Sequence, residues 1–92
     1  MKNIEKKLRA VEEFMSVAMR GNYNTGLDIF CHFSGHVGAI GLYIYDDARD
    51  YENDNDYTKR LFEIYFYIKS TTVTQIKKHT AKLKRFLKKH SK

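Results

Sequence analysis

The sequence predicts an α+β domain in two layers, a three-stranded antiparallel sheet packed against two helices in the order α-β-β-β-α. Three observations carry that expectation. Apolar residues near both ends of the chain recur at helical spacing. Those in the middle alternate with polar or aromatic residues, as strands require. No proline interrupts any of these runs. A chain of 92 residues makes one domain, spanning 1–92, with a thin core.

The first helix is read from Ile4, Leu8, Val11, Met15 and Ala18, with Phe14 beside that stripe. Asn3 is placed at its cap and Glu5 in its first turn. Gly21-Asn22 is taken as its end, since both residues tolerate positive φ. The first strand follows from Leu27, Ile29, Cys31 and Phe33 alternating with Asp28, Phe30, His32 and Ser34. Ser34-Gly35-His36 then reads as a turn, with Gly35 as the permissive residue. Ile40, Leu42 and Ile44 alternate with Gly41, Tyr43 and Tyr45, which completes a hairpin. Residues 59–69 fit either a helix or a strand by spacing, and their density of Ile, Phe and Tyr favours a third strand. The last helix has a visible start, because Thr72 and Gln75 stand at capping-box spacing. Val73, Ile76, Thr80, Leu83 and Leu87 form its buried stripe, with Phe86 alongside.

Strand parity assigns Leu27, Ile29, Cys31, Phe33, Ile40, Leu42, Ile44, Phe62, Ile64, Phe66 and Ile68 to the face under the helices. The opposite face then carries Phe30, His32, Tyr43, Tyr45, Tyr65 and Tyr67. So large an aromatic surface needs a cover or a use. The first helix can lie over it. It can form a homodimer or partner interface, where tyrosine is favoured. It can also stack single-stranded bases, although the ribonucleoprotein sheet motifs are missing.

The charge is segregated. The net charge is +6, yet residues 46–57 carry Asp46, Asp47, Asp50, Glu52, Asp54 and Asp56 against Arg49 alone. The last helix carries Lys77, Lys78, Lys82, Lys84, Arg85, Lys88 and Lys89 with no acid. That row suits nucleic-acid phosphates; the plainer reading is a solvated helix face. Being mostly lysine, it would read little base sequence. The acidic stretch is expected to be a polar loop that can present Asp50, Asp54 and Asp56 to a basic partner. It resembles a calcium loop only in its alternation, since Asn55 and Leu61 stand where Gly and a bidentate Glu are needed.

Other chemistries have thin support. Cys31, His32 and His36 lie close together, but alternation sends Cys31 and His32 to opposite faces. Cys31 then reads as a small apolar core residue. A zinc site would therefore rest on His32 and His36 with an acidic neighbour. No nucleophile elbow, phosphate loop or dinucleotide fingerprint occurs, so an enzyme is not expected. No apolar run is long enough to span a bilayer, and the start has no secretory pattern. A lone cysteine excludes an intrachain disulfide and fits a reducing cytoplasm.

The run Phe33-Ser34-Gly35-His36-Val37, followed by Leu42-Tyr43-Ile44-Tyr45-Asp46, resembles small accessory proteins of phages and prophages of Gram-positive bacteria. In those proteins a Ser-Gly-His-Val turn joins two strands. The resemblance covers about residues 27 to 46; Gly38 replaces the usual Asn, and the Gly-Trp that often follows is absent. It implies a non-catalytic protein of the bacterial host's cytoplasm that binds and inhibits a host protein, as anti-CRISPR inhibitors block a Cas nuclease. The binding surface expected is Tyr43, Tyr45, Tyr65 and Tyr67, the acidic loop, or both. The rival expectation is a small nucleic-acid-binding protein using the lysine-rich last helix.

Overall fold

The computed structural model describes the backbone of residues 2–45 and 60–90, and the side chains of 4–45 and 60–90. The described residues form helix α1 (Lys2–Thr25), strands β1 (Asp28–Ser34), β2 (Ala39–Tyr45) and β3 (Arg60–Tyr67), and helix α2 (Val73–His90). The strands pair antiparallel in the order β1-β2-β3, which gives the expected α+β arrangement. The ambiguous segment 59–69 is a strand over Arg60–Tyr67. The acidic stretch expected to form a loop, with Asp50, Asp54 and Asp56, lies outside the described residues.

Register confirms the parity. Ile29 faces Ile44, Cys31 faces Leu42 and Phe33 faces Ile40; across the next ladder Ile40 faces Phe66, Leu42 faces Ile64 and Ile44 faces Phe62. Both helices pack on this face. Phe14 of α1 meets Phe66 edge-on at 5.6 Å, while on α2 Phe86 stacks on Phe62 at 4.6 Å and His79 on Phe66 at 5.1 Å. The α2 rings contact β3 in reverse order, so α2 runs antiparallel above β3. Ile40, Leu42, Ile44, Ile76 and Leu83 are wholly buried at the centre.

Helix α2 starts as its sequence dictates. The Thr72 amide donates to Gln75 Oε1 at 2.9 Å, and the Gln75 amide donates to Thr72 Oγ1 at 3.1 Å. Those two bonds satisfy donors that a helix start leaves orphaned. Ile76, Thr80, Leu83 and Leu87 are buried as expected.

Helix α1 departs from its prediction at both ends. It already runs from Lys2, so Asn3 lies inside it rather than at its cap. It also continues past Gly21-Asn22 to Thr25. The true stop is Gly26, whose φ of 78° supplies the left-handed residue after the last turn. Thr25 Oγ1 closes this end, donating to the Gly21 carbonyl at 2.8 Å and accepting the Leu27 amide at 3.1 Å. Gly21 serves tertiary packing instead, because α2 crosses where a side chain would obstruct Leu87. Asn22 is likewise not a terminator: its Oδ1 accepts the Ile29 amide at 3.0 Å and ties β1 to α1.

The stripe of α1 matches the expected one at Val11, Phe14 and Ala18 and departs from it elsewhere. Ala10, Val11, Phe14 and Ala18 are buried, whereas Ile4 and Leu8 are exposed and Met15 is only half-buried. In the hairpin turn, Gly38 takes positive φ, at 63°, and Gly35 does not. The Gly38 carbonyl accepts the Ile68 amide at 2.9 Å, so the turn also extends the β2–β3 ladder. Phe33, assigned to the core, is 56% exposed. It sits at the sheet's end with Ile4, Leu8 and Val37, around a groove of about 650 Å³.

Candidate functional site

The face of the sheet turned away from both helices follows from the same register. Phe30, Tyr43 and Glu63 lie abreast on it, as do His32, Gly41 and Tyr65, and Ser34, Ala39 and Tyr67. Neither α1 nor α2 lies over it. Phe30, Tyr65 and Tyr67 are 44%, 45% and 50% exposed, and His32 is exposed beside them. An aromatic surface this open on a domain this small is unusual unless something docks there.

The rings brace one another. His32 stacks on Tyr43 at 5.7 Å and Tyr65 meets Tyr67 edge-on at 5.5 Å. Phe30 meets Tyr45 edge-on at 5.7 Å. Gly41 makes the floor possible, because a Cβ there would fall 2.7 Å from His32 Cε1 and 3.3 Å from Tyr65 Cδ2. Partial desolvation, and then the neighbouring Tyr67, push the Tyr65 phenol above the ordinary tyrosine range.

Arg60 is the element that sequence reasoning missed. Its guanidinium lies over the Tyr43 ring at 4.3 Å from the centroid, donates to the Tyr45 hydroxyl at 3.1 Å and pairs with Glu63 at 3.1 Å. The hydrogen bond to Tyr45 holds it still more firmly protonated. The sequence offered no signal for this, because a register shift between Ile44 and Tyr45 is what sets Arg60 opposite Tyr45. Tyr45 itself is buried, so of the four predicted tyrosines Tyr43, Tyr65 and Tyr67 form the accessible part of the surface.

The predicted cations of α2 are elsewhere. Lys77, Lys78, Lys82, Lys84, Arg85, Lys88 and Lys89 are all exposed on the other layer. Lys84 pairs with Glu13 of α1 at 3.6 Å, an exposed contact of small energetic worth. Lys78, Lys82 and Arg85 line a shallow groove of about 680 Å³ with Ser70 and Gln75. His79 borders it, with its pKa lowered first by burial and then by Lys82.

His32 and His36 are not drawn into a cluster. His32 stacks on Tyr43, while His36 lies exposed in the hairpin turn. Among the described residues no three His, Cys, Asp or Glu side chains converge as metal ligands would. Cys31 is half-buried on the helix side, and burial pushes its thiol up, away from the reactive thiolate form. Among the described residues no helix is long and apolar enough to cross a membrane. No protein-family model matches the chain, and no curated protein or solved structure matches it either.

Proposed function

We propose that this protein is a non-catalytic binding module that docks a partner protein on the open aromatic face of its sheet. One observation carries the reading. The face presents Phe30, His32, Tyr43, Tyr65 and Tyr67, and among its described residues the cation is Arg60, already committed to Glu63 and Tyr45. A base-stacking platform needs cations beside its rings to hold phosphates. A protein interface needs aromatic anchors in a weakly charged centre, which is what this face offers.

The resemblance of residues 27 to 46 supports the narrower form of this reading: an accessory protein of a phage or mobile element that inhibits a host protein such as a Cas nuclease. The test is capture of partners from bacterial lysate by the tagged protein, with and without nuclease. The reading expects a protein that stays bound after nuclease. Retention of nucleic acid alone would sink it.

A second reading has its own observation. The α2 groove is lined by Lys78, Lys82 and Arg85, and α2 contains no acid. If it holds phosphates, binding falls steeply with salt and Lys82→Ala weakens it alike on all sequences.

A further inference from the structure

Among the described residues each edge of the sheet is capped at one point, β1 at Ile29 and β3 at Tyr67. Edge strands present unpaired backbone groups, and proteins usually cover or blunt them. At β1 the outward Ile29 amide is taken by Asn22 Oδ1 of α1. At β3 the capped group among the described residues is the Tyr67 carbonyl, at the strand's end. The Ile68 amide turns toward β2 to reach Gly38, so in an antiparallel ladder the groups of Glu63, Tyr65 and Tyr67 turn outward. Thr71 Oγ1 donates to the Tyr67 carbonyl at 2.6 Å, which agrees with that parity. Among the described residues none takes the backbone groups of Glu63 and Tyr65. No lysine or proline lies within β3 to discourage pairing.

The charge beside this edge is one-sided. His79 and Phe86 of α2 rest on Phe66 and Phe62 of β3, while Leu87 and Lys84 turn toward α1. Helical periodicity then puts Gln75, Lys78, Lys82 and Lys89 on the flank away from α1, above the β3 edge. From Lys78 to Lys89 the helix rises roughly 16 Å, close to the roughly 20 Å over which a short strand would lie beside β3. On the other side of the same edge stand Tyr65, Tyr67 and Glu63.

We infer that β3 accepts an extended acidic segment of the partner protein as a fourth strand, with acids on the α2 side and apolar residues on the tyrosine side. This rests on the protein-binding reading and names what the partner brings. Strand addition supplies backbone hydrogen bonds, and alternate side chains supply specificity. Parity fixes the pattern: acids under α2 meet Lys78 and Lys82, whereas acids on the other side would meet Glu63. A second copy of this chain suits the edge poorly, because pairing β3 with itself would bring the lysine flank of α2 against its own copy.

The test uses a capped peptide of about ten residues alternating glutamate and valine, long enough to span the strand. Binding is followed by amide shifts and hydrogen exchange at Glu63 and Tyr65. The expected result is slowed exchange at these amides and at least about tenfold weaker binding for Lys78→Glu with Lys82→Glu. Glu63→Pro, which removes an outward donor without touching the β2 ladder, weakens binding comparably while circular dichroism stays native. Several results would overturn the inference: equal binding of a lysine–valine peptide, equal binding of a peptide N-methylated on its edge-facing nitrogens, or oligothymidylate binding the same lysines with no change at Glu63 and Tyr65. Self-association through β3 without peptide would replace the acidic segment with a second copy. A captured protein that ignores both edge variants, yet is lost on Phe30→Ala with Tyr43→Ala, overturns the edge inference and leaves the aromatic-face reading standing. Failure of the nuclease-treated capture removes that reading instead.

Discussion

Gly21 of α1 lies directly beneath Leu87 of α2, so close that a Cβ at position 21 would fall 2.6 Å from Leu87 Cδ1 and 3.2 Å from Ile29 Cδ1. Here the two helices and the start of β1 come together. Replacing Gly21 by Ala brings a helix-propensity gain of about 0.5–1 kcal/mol against an overpacking cost of about 1–3 kcal/mol. Because the obstructing atoms are the ends of flexible side chains, the net is a loss near 1 kcal/mol. Leu87→Ala alone opens a cavity and costs about 2–5 kcal/mol. Denaturant unfolding of the double variant should show it to be more stable than the sum of the single losses predicts, since Ala at 87 makes room for Ala at 21. Strict additivity would mean that the crossing does not depend on Gly21.

Thr72 and Gln75 bond reciprocally at the start of α2. Thr72→Ala should cost about 1 kcal/mol, a fall in melting temperature of roughly 4–8 °C for a domain of this size. Thr72→Asn should recover most of it. A melting temperature unchanged by Thr72→Ala would show that packing alone nucleates the helix.

Substitution at Gly41 should separate folding from partner binding. A Cβ there has the imidazole of His32 and the ring of Tyr65 as its nearest neighbours. Gly41→Ala should therefore displace His32 and Tyr65 on the open face while costing less than about 1 kcal/mol, since the exposed imidazole can swing aside. Partner binding should fall, with thermal stability close to wild type. Preserved binding would show that the aromatic floor is not read by the partner.

His79 gives a pH dependence of known sign. Burial, and then Lys82, hold its pKa below the ordinary imidazole value. Below about pH 6.5 the unfolded chain takes up a proton that the folded chain resists. Stability therefore falls as the pH drops from there to the depressed folded value and levels off below it. His79→Phe keeps the stacking on Phe66 and removes the titration. The difference between wild-type and variant melting temperatures should widen on acidification through that window. A difference independent of pH would contradict the assignment.

Some of this architecture was legible because it is local. Thr72-x-x-Gln75 bonds within one turn, and strand parity needs only alternation, so α2 and both faces of the sheet follow from neighbouring residues. Ile4, Leu8 and Met15 fit a helical stripe as well as Ala10 and Phe14 do. Only the position of the sheet decides which set is buried, and that is long-range information. Gly21 carries the local mark of a terminator, yet a distant leucine determines its use, and Gly26 closes the helix. Gly35 and Gly38 are equally permissive in the turn; the register of Ser34 with Ala39 decides between them. On the candidate site, Tyr43, Tyr65 and Tyr67 were legible from alternation. The place of Arg60 opposite Tyr45 was not, because it depends on a register irregularity that composition does not encode.

The central claim is that the open aromatic face anchors the partner more strongly than the lysine-rich helix does. The most direct measurement is the affinity of the captured protein for wild type, for Tyr65→Ala with Tyr67→Ala, and for Lys82→Ala with Arg85→Ala, with folding of each checked by melting. The tyrosine pair should cost at least about tenfold, as anchors at the centre of an interface do, and more than the helix pair. Full affinity after loss of both tyrosines, with binding abolished by the helix pair, would contradict the account.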